Sequence, residues 1–299
     1  MSESPADLSR PAAHASLQII VLLWGCTALL GRQISIQALP LVWYRLLVVV
    51  AVLAVLVPMR GITMRIPLRA ALRYAVVGAI IGLHWLCFYG AIKEAGIATA
   101  VLSLSTITFF TALVEPLVFH RRVDPSELMI GAIVVAAAAL LIELELHATP
   151  LGIALALGSA LLGAIFGVIN GKLARREPPE RLMLYELTAA ALVVTLCFAV
   201  APSQFVSPWQ LSATDAGWLV VLAVMCTVIP QVWIIHVLRT LSPFTVAVTL
   251  NLEPVYALIL TAVLFPADRP LGARFYVGAA VLFALVIING IRKSRSRGA

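Results

Sequence analysis

Within the apolar run from Leu241 to Phe265, the stretch Thr249–Tyr256 (TLNLEPVY) places a carboxylate, Glu253, directly before Pro254. A charged side chain near the centre of a bilayer costs roughly 2.5–3.5 kcal/mol or more. Glu253 is therefore expected to face protein or water, where it can meet an amine, exchange a proton or pair with a buried cation. Thr245, Thr249, Glu253 and Tyr256 recur at helical spacing and predict one polar stripe, with Asn251 off it. Pro254 removes a backbone N–H and loosens the preceding turn; a plain structural kink is the competing reading. Two arginines at comparable depth, Arg32 and Arg45, are the candidate partners. Either forms a structural ion pair with Glu253, or one holds a substrate carboxylate or other anion while Glu253 meets an amine or a proton. His84 is the second proton-coupling candidate, against the reading of a hydrogen-bonded core histidine. With Trp85, Phe88 and Tyr89 it makes an aromatic face suited to a small-molecule pocket, although Trp and Tyr also form interfacial belts. Trp24, Tyr44, Ser105 and Thr106 complete the set expected to line that pocket.

Other chemistry lacks its parts. The sequence has no phosphate-cradling P-loop, no His-Glu-x-x-His and no Gly-x-Ser-x-Gly. Cys26, Cys87, Cys197 and Cys226 all lie in apolar runs without metal-type spacing, so they read as small buried hydrophobes. No metal, cofactor, disulfide or catalytic residue is expected, and the chain is not expected to be an enzyme.

The elements that must position these residues are membrane spans. With 62% hydrophobic and 12% charged residues and a mean hydropathy of +1.04, the 299 residues lie far from the composition of soluble domains. A net charge of +7 raises the question of nucleic acid. The basic residues, however, sit in short clusters between apolar runs and form no basic face, so nucleic acid is excluded and the bilayer is the expected surroundings. Stretches near 20 apolar residues, the length that crosses the hydrocarbon as helix, fall at 17–38, 40–58, 72–92, 96–119, 126–143, 150–172, 181–200, 216–238, 242–265 and 271–291. This predicts an all-α polytopic membrane protein of ten helices. Most Lys and Arg fall on one side of the alternation, which puts both termini in the cytoplasm, with polar 1–16 and basic 292–299 as tails.

The halves 17–143 and 150–291 share features: LVWYRLL (41–47) against LMLYELT (182–188), and Gly-rich first and sixth spans. Five spans per half make the second copy inverted relative to the first, the arrangement many transporters use for alternating access. Aligning Phe265 with Phe119 places Glu253 opposite Ser105 and Thr106 at mid-membrane, while Glu115 lies near His120-Arg121-Arg122 and reads as an anchor. Glu186, the counterpart of Arg45, is expected near the cytoplasmic edge within reach of basic loops. Asn170 and Gln231 read as packing glue.

WGCTALLGR, WYRLL, LHWLCFYGAI, LSLSTITFFTALVEPLVFHRR and TLNLEPVYALILTAVLF resemble the EamA-like branch of the drug/metabolite transporter superfamily over about residues 17–291. Many relatives carry a neutral residue before the proline that follows Glu253 here. The resemblance implies a secondary transporter of the bacterial inner membrane that moves a small polar metabolite, most simply an amino acid or related zwitterion, outward. A broad exporter of drugs or lipophilic cations is the alternative, and a non-transporting scaffold the remote one. Possible proton coupling and the oligomeric state stay open at this level.

Overall fold

The computed structural model describes residues 8–141, 149–264 and 273–295. Among them the chain is helical, without strands: α1 Arg10–Gln33, α2 Ala38–Met59, α3 Leu68–Ser105, α4 Ile107–Phe119, α5 Pro125–Leu141, α6 Pro150–Leu173, α7 Pro179–Val200, α8 Ala213–Ala223, α9 Ile229–Thr240, α10 Pro243–Leu250, α11 Glu253–Leu264 and α12 Ala273–Arg295. Backbone polar groups in hydrocarbon find no water, so each segment satisfies its own by helical bonding. Entry points are written locally. Pro150, Pro179 and Pro243 open their helices, where the missing N–H is harmless. The hydroxyls of Thr149, Ser212 and Ser242 accept from the N–H groups of Gly152, Asp215 and Thr245. Gly61, at φ +67°, turns the chain after α2 where other side chains would be strained.

Among the described residues, six stretches are long and apolar enough to cross a membrane: 38–59, 68–91, 150–173, 179–200, 213–240 and 276–293, with shorter apolar helices at 103–119 and 125–139. Large apolar side chains such as Val55, Leu72, Leu117, Leu196 and Ile287 face outward, as a lipid solvent permits.

The helical run of α3 is longer than one crossing, and it is not straight. His84 and Ile107, 23 positions apart, both come within 3.2 Å of the place a Cβ would occupy on Gly163. A straight helix would separate them by roughly 34 Å at 1.5 Å per residue. The chain therefore reverses between them.

The internal repeat is visible in element lengths. α1 and α6 both have 24 residues and start 140 positions apart. α2 and α7 both have 22 and start 141 positions apart, which makes Arg45 and Glu186 equivalent. The counterparts α2 and α7 pack antiparallel: Arg60, after the end of α2, pairs with Glu180 at the start of α7 at 2.8 Å, and Trp43, near the start of α2, donates to Thr195 near the end of α7 at 2.8 Å. The interruption between α3 and α4 at Thr106 and that between α10 and α11 at Asn251-Leu252 fall at matching positions, so both copies carry a helix broken at mid-depth. The second break follows from Pro254, which has no N–H to give Leu250 and whose ring crowds that carbonyl. The N–H groups of Asn251 and Leu252 turn instead to Val248 and Thr249, at 3.4 and 3.0 Å. The breaks are stitched together: Thr108 donates to the Ala247 carbonyl at 3.1 Å, and the Asn251 amide donates to Thr108 Oγ at 2.7 Å and to Ala247 O at 2.8 Å. The carbonyl end of α10 is thus satisfied away from water.

Candidate functional site

Between the halves lies a cavity of about 200 Å³ lined mainly by apolar and aromatic side chains, Trp24, Trp85, Phe88 and Phe166 among them. Its polar members include Arg45, His84, Glu253, Asn170 and Gln231.

Arg45 is buried and held by groups from across the cavity. Its Nε donates to Thr227 Oγ at 2.6 Å and its Nη2 to the Cys226 carbonyl at 3.3 Å, while the guanidinium carbon stands 4.8 Å from the centroid of the Trp85 ring. Both oxygens belong to a π-helical turn, Val224–Val228, joining α8 to α9. The cause is again a proline. In an α-helix the Cys226 carbonyl would accept from residue 230, but Pro230 has no N–H to give. The freed acceptor is taken up by Arg45.

Glu253 opens α11, where the helix dipole favours a carboxylate. It lines the cavity and, among the described residues, makes no hydrogen bond or ion pair; Arg45 is the charge that acts on it. Close approach of α1 to this point depends on Gly25, since a Cβ there would sit 3.3 Å from the Glu253 carbonyl and the Ala257 nitrogen. His84 is tied through Nδ1 to the Ser159 carbonyl at 2.8 Å, with Ser159 Oγ 3.0 Å from the same nitrogen. Gly163 makes room for its ring. Donation from Nδ1 to the carbonyl leaves Nε2 uncommitted among the described bonds.

Trp24, Arg45, His84, Trp85, Phe88, Tyr89 and Glu253 thus come together, while Tyr44, Ser105, Thr106, Thr249, Asn251 and Tyr256 do not line the cavity. Tyr44 donates to the Val206 carbonyl at 2.7 Å and packs with Leu219 and Cys226. Ser105 is buried at the end of α3, and Thr106 Oγ donates to the Ser103 carbonyl at 2.5 Å. Thr249 bonds its own helix at Thr245 O, 3.0 Å, Asn251 caps α10, and Tyr256 donates to Gln18 at 2.6 Å. The polar stripe of the ninth span does not form one face because the break at 251–252 resets the helical register. Arg32 is on α1, and its side chain lies outside the described residues, as does the loop 265–272.

Two readings need correction. Glu186 does not reach basic loops: it is fully buried, and its one bond comes from Asn170 Nδ2 at 3.0 Å. The cause is the close approach of α3, where Gly78 meets the Glu186 backbone. Asn170 and Gln231 are cavity residues, and Thr227, which mounts Arg45, attracted no attention in the sequence. Pro230 was the signal that could have found it.

Where the start of α1 meets the end of α12, Arg10 Nη2 donates to the Lys293 carbonyl at 3.4 Å, and on this face a charged cluster joins α4, α5, α10 and α12. Glu127, fully buried, receives Arg121 at 2.6 Å and Lys293 at 2.5 Å. Glu115 lies 3.3 Å from Arg121 and accepts the Phe244 N–H at 2.8 Å. Asp124 accepts from Ser126 and from Arg292, the latter at 3.2 Å. Burial alone would raise its carboxyl, but these donors hold it below the usual aspartate range. On the opposite face Asp215 accepts the N–H and hydroxyl of Ser35, both at 2.8 Å.

No curated protein sequence matches the chain. A solved structure described as "Crystal structure of protein" superposes with a TM-score of 0.79 at 18% identity, covering 96% of this chain and 99% of its own; at that identity it establishes the fold. The family model described as EamA-like transporter family matches residues 14–143 and again 150–291, the two repeats seen in the helices. The chain therefore belongs to the EamA-like transporter family, within the drug/metabolite transporter superfamily, and is a multi-pass membrane protein.

Proposed function

We propose that this chain is a ten-span secondary transporter of the bacterial inner membrane, with both ends in the cytoplasm, that exports small zwitterionic metabolites, amino acids or their close relatives, by alternating access. The observation that carries the reading is the pairing, on one aromatic-walled cavity, of a mounted guanidinium and a carboxylate with no hydrogen-bond partner among the described residues. A molecule bearing both a carboxylate and an ammonium complements that pair, the first at Arg45 and the second at Glu253. Without cargo a proton takes the ammonium's place on Glu253, with His84 on the same cavity as the second proton-coupling candidate, so cargo and proton exchange at a shared site. The clustering of Arg60, Arg121, Arg181, Arg292 and Lys293 on the face where α1 starts and α12 ends supports its assignment to the cytoplasm.

The test uses purified protein and a panel of amino acids and lipophilic cations in a thermal-shift assay, since a ligand of the folded state raises the apparent midpoint. Amino acids should raise it in wild type. Arg45→Gln should abolish that shift and spare any response to cations, whereas Glu253→Gln should remove both and abolish proton-linked transport in proteoliposomes while leaving the protein folded. A shift by lipophilic cations alone, unchanged in Arg45→Gln, would instead favour the drug-exporter reading, in which Arg45 is structural.

A further inference from the structure

Among the described residues, buried acids come with donors. Glu115 has Arg121 and a backbone N–H, Glu127 has Arg121 and Lys293, Glu180 has Arg60, and Asp215 has Ser35 and Ser212. Glu186 does not fit that pattern. It is fully buried on α7, Oε2 accepts a single bond from the Asn170 amide, and Oε1 has no partner. Asn170 Oδ1 and Gln231 Oε1 are also buried without partners, and both residues line the cavity. All three of these orphaned atoms are acceptors, so the Glu186–Asn170 pair, which has the one amide donor between them, is short of a donor. A purely structural network would be expected to satisfy itself, because each unsatisfied buried group costs on the order of 1–3 kcal/mol.

The charged and titratable groups on the helices around Glu186 are committed elsewhere. Arg45 of α2 is held by the π turn, and His84 of α3 by Ser159. Tyr74 of α3 stacks edge-on against Tyr185. Lys172 of α6 bonds the Val118 carbonyl, and Arg239 of α9 bonds the carbonyls of Ala174 and Glu177. None of these, nor His236 of α9, hydrogen-bonds or ion-pairs with Glu186, whose one bond is to Asn170.

From this geometry we infer that Glu186 and Asn170 form a proton site behind the cavity, at which Glu186 takes up and releases a proton in step with cavity occupancy and Asn170 is the positioning residue that links it to the cavity. Uptake forms one O–H bond on Glu186 Oε1, using a proton delivered by water in the cavity, and gives the site the donor it lacks. Release returns that proton to water and leaves the carboxylate bonded to Asn170. This is an acid additional to Glu253, and its role in coupling rests on the transporter reading above.

Infrared difference spectroscopy of the full-length protein in lipid nanodiscs, recorded over a pH series, tests the site without any cargo. A carboxylic-acid C=O band that titrates in wild type should be lost in Glu186→Gln and kept in Glu253→Gln. Asn170→Ser, which leaves the acid in place, should shift the frequency of that band. A band unchanged in Glu186→Gln, one that never titrates, or one displaced by sodium at fixed pH would overturn the proposal. In proteoliposomes Glu186→Gln should lose accumulation driven by a pH gradient while exchange between equal cargo pools persists. If wild type shows no exchange, the transporter reading fails while the infrared result still decides the proton site.

Discussion

Arg45 shows how a charge is made tolerable at depth. Its guanidinium has a hydroxyl, a carbonyl and an indole face as neighbours, while Nη1 has no described bond and is free to meet a carboxylate. Thr227→Val keeps the shape of the mount and removes the hydroxyl. A hydrogen bond to a charged group contributes about 1.5–3 kcal/mol, so affinity for a zwitterionic cargo should fall by roughly ten-fold or more, measured by titration calorimetry. A lower thermal midpoint with unchanged affinity would show that Thr227 only packs. Depth made the charged site residues legible: Glu253 and Arg45 announce themselves because a charge in an apolar run demands an explanation, and His84 and its aromatic neighbours follow at helical spacing. Thr227, Asn170 and Gln231 were not legible as site residues, since uncharged polar groups are common in spans and only their partners reveal what they do.

Prolines act at the level of the element. Pro254 breaks the ninth span and sets Glu253 at a helix start, and Pro230 frees the carbonyl that Arg45 uses. Pro230→Ala restores an N–H that competes with Arg45 for Cys226 O. Its thermal midpoint should hold or rise, because an interior proline disfavours helix by about 3 kcal/mol, while cargo affinity falls; parallel scanning calorimetry and binding measurements check the two together. A proportionate loss of both would argue that the π turn has no part in recognition. The same elements mark the limit of sequence reading. Apolar length and short polar connections predicted most of the spans and their repeat, but the periodicity of Thr245, Thr249, Glu253 and Tyr256 presumed an unbroken helix. The break turned three of the four toward other partners.

For the whole molecule, the charged cluster at the basic face clamps α4 and α5 of one repeat to α10 and α12 of the other, a contact that the proposed alternating access would have to open. Glu127 is its buried centre, and Glu127→Ala would remove the carboxylate shared by Arg121 and Lys293; because Arg121 keeps Glu115 and both cations are partly exposed, the loss should stay below the roughly 3–5 kcal/mol of a fully buried pair, visible as a lower midpoint. Asp124, whose carboxyl is held below the usual range, adds stability that is fully present above about pH 4, the unfolded value, and is lost as pH falls through its folded value. Asp124→Asn should therefore lower the midpoint near neutrality and converge with wild type in acid. The effect should shrink with salt, since the side chain is 39% exposed.

Arg45 belongs to the first repeat, and its hydroxyl and carbonyl partners belong to the second. Any rocking of the repeats must either carry that positive charge along or release it, and both displace charge within the electric field of the membrane. A full crossing would be worth about 2.3 kcal/mol per 100 mV, so even a partial displacement has an electrical signature. Proteoliposomes adsorbed on a solid-supported electrode should then give a brief capacitive current when the empty carrier changes state, one that Arg45→Gln removes: the protein would report its own motion as a voltage-dependent step before any cargo has moved.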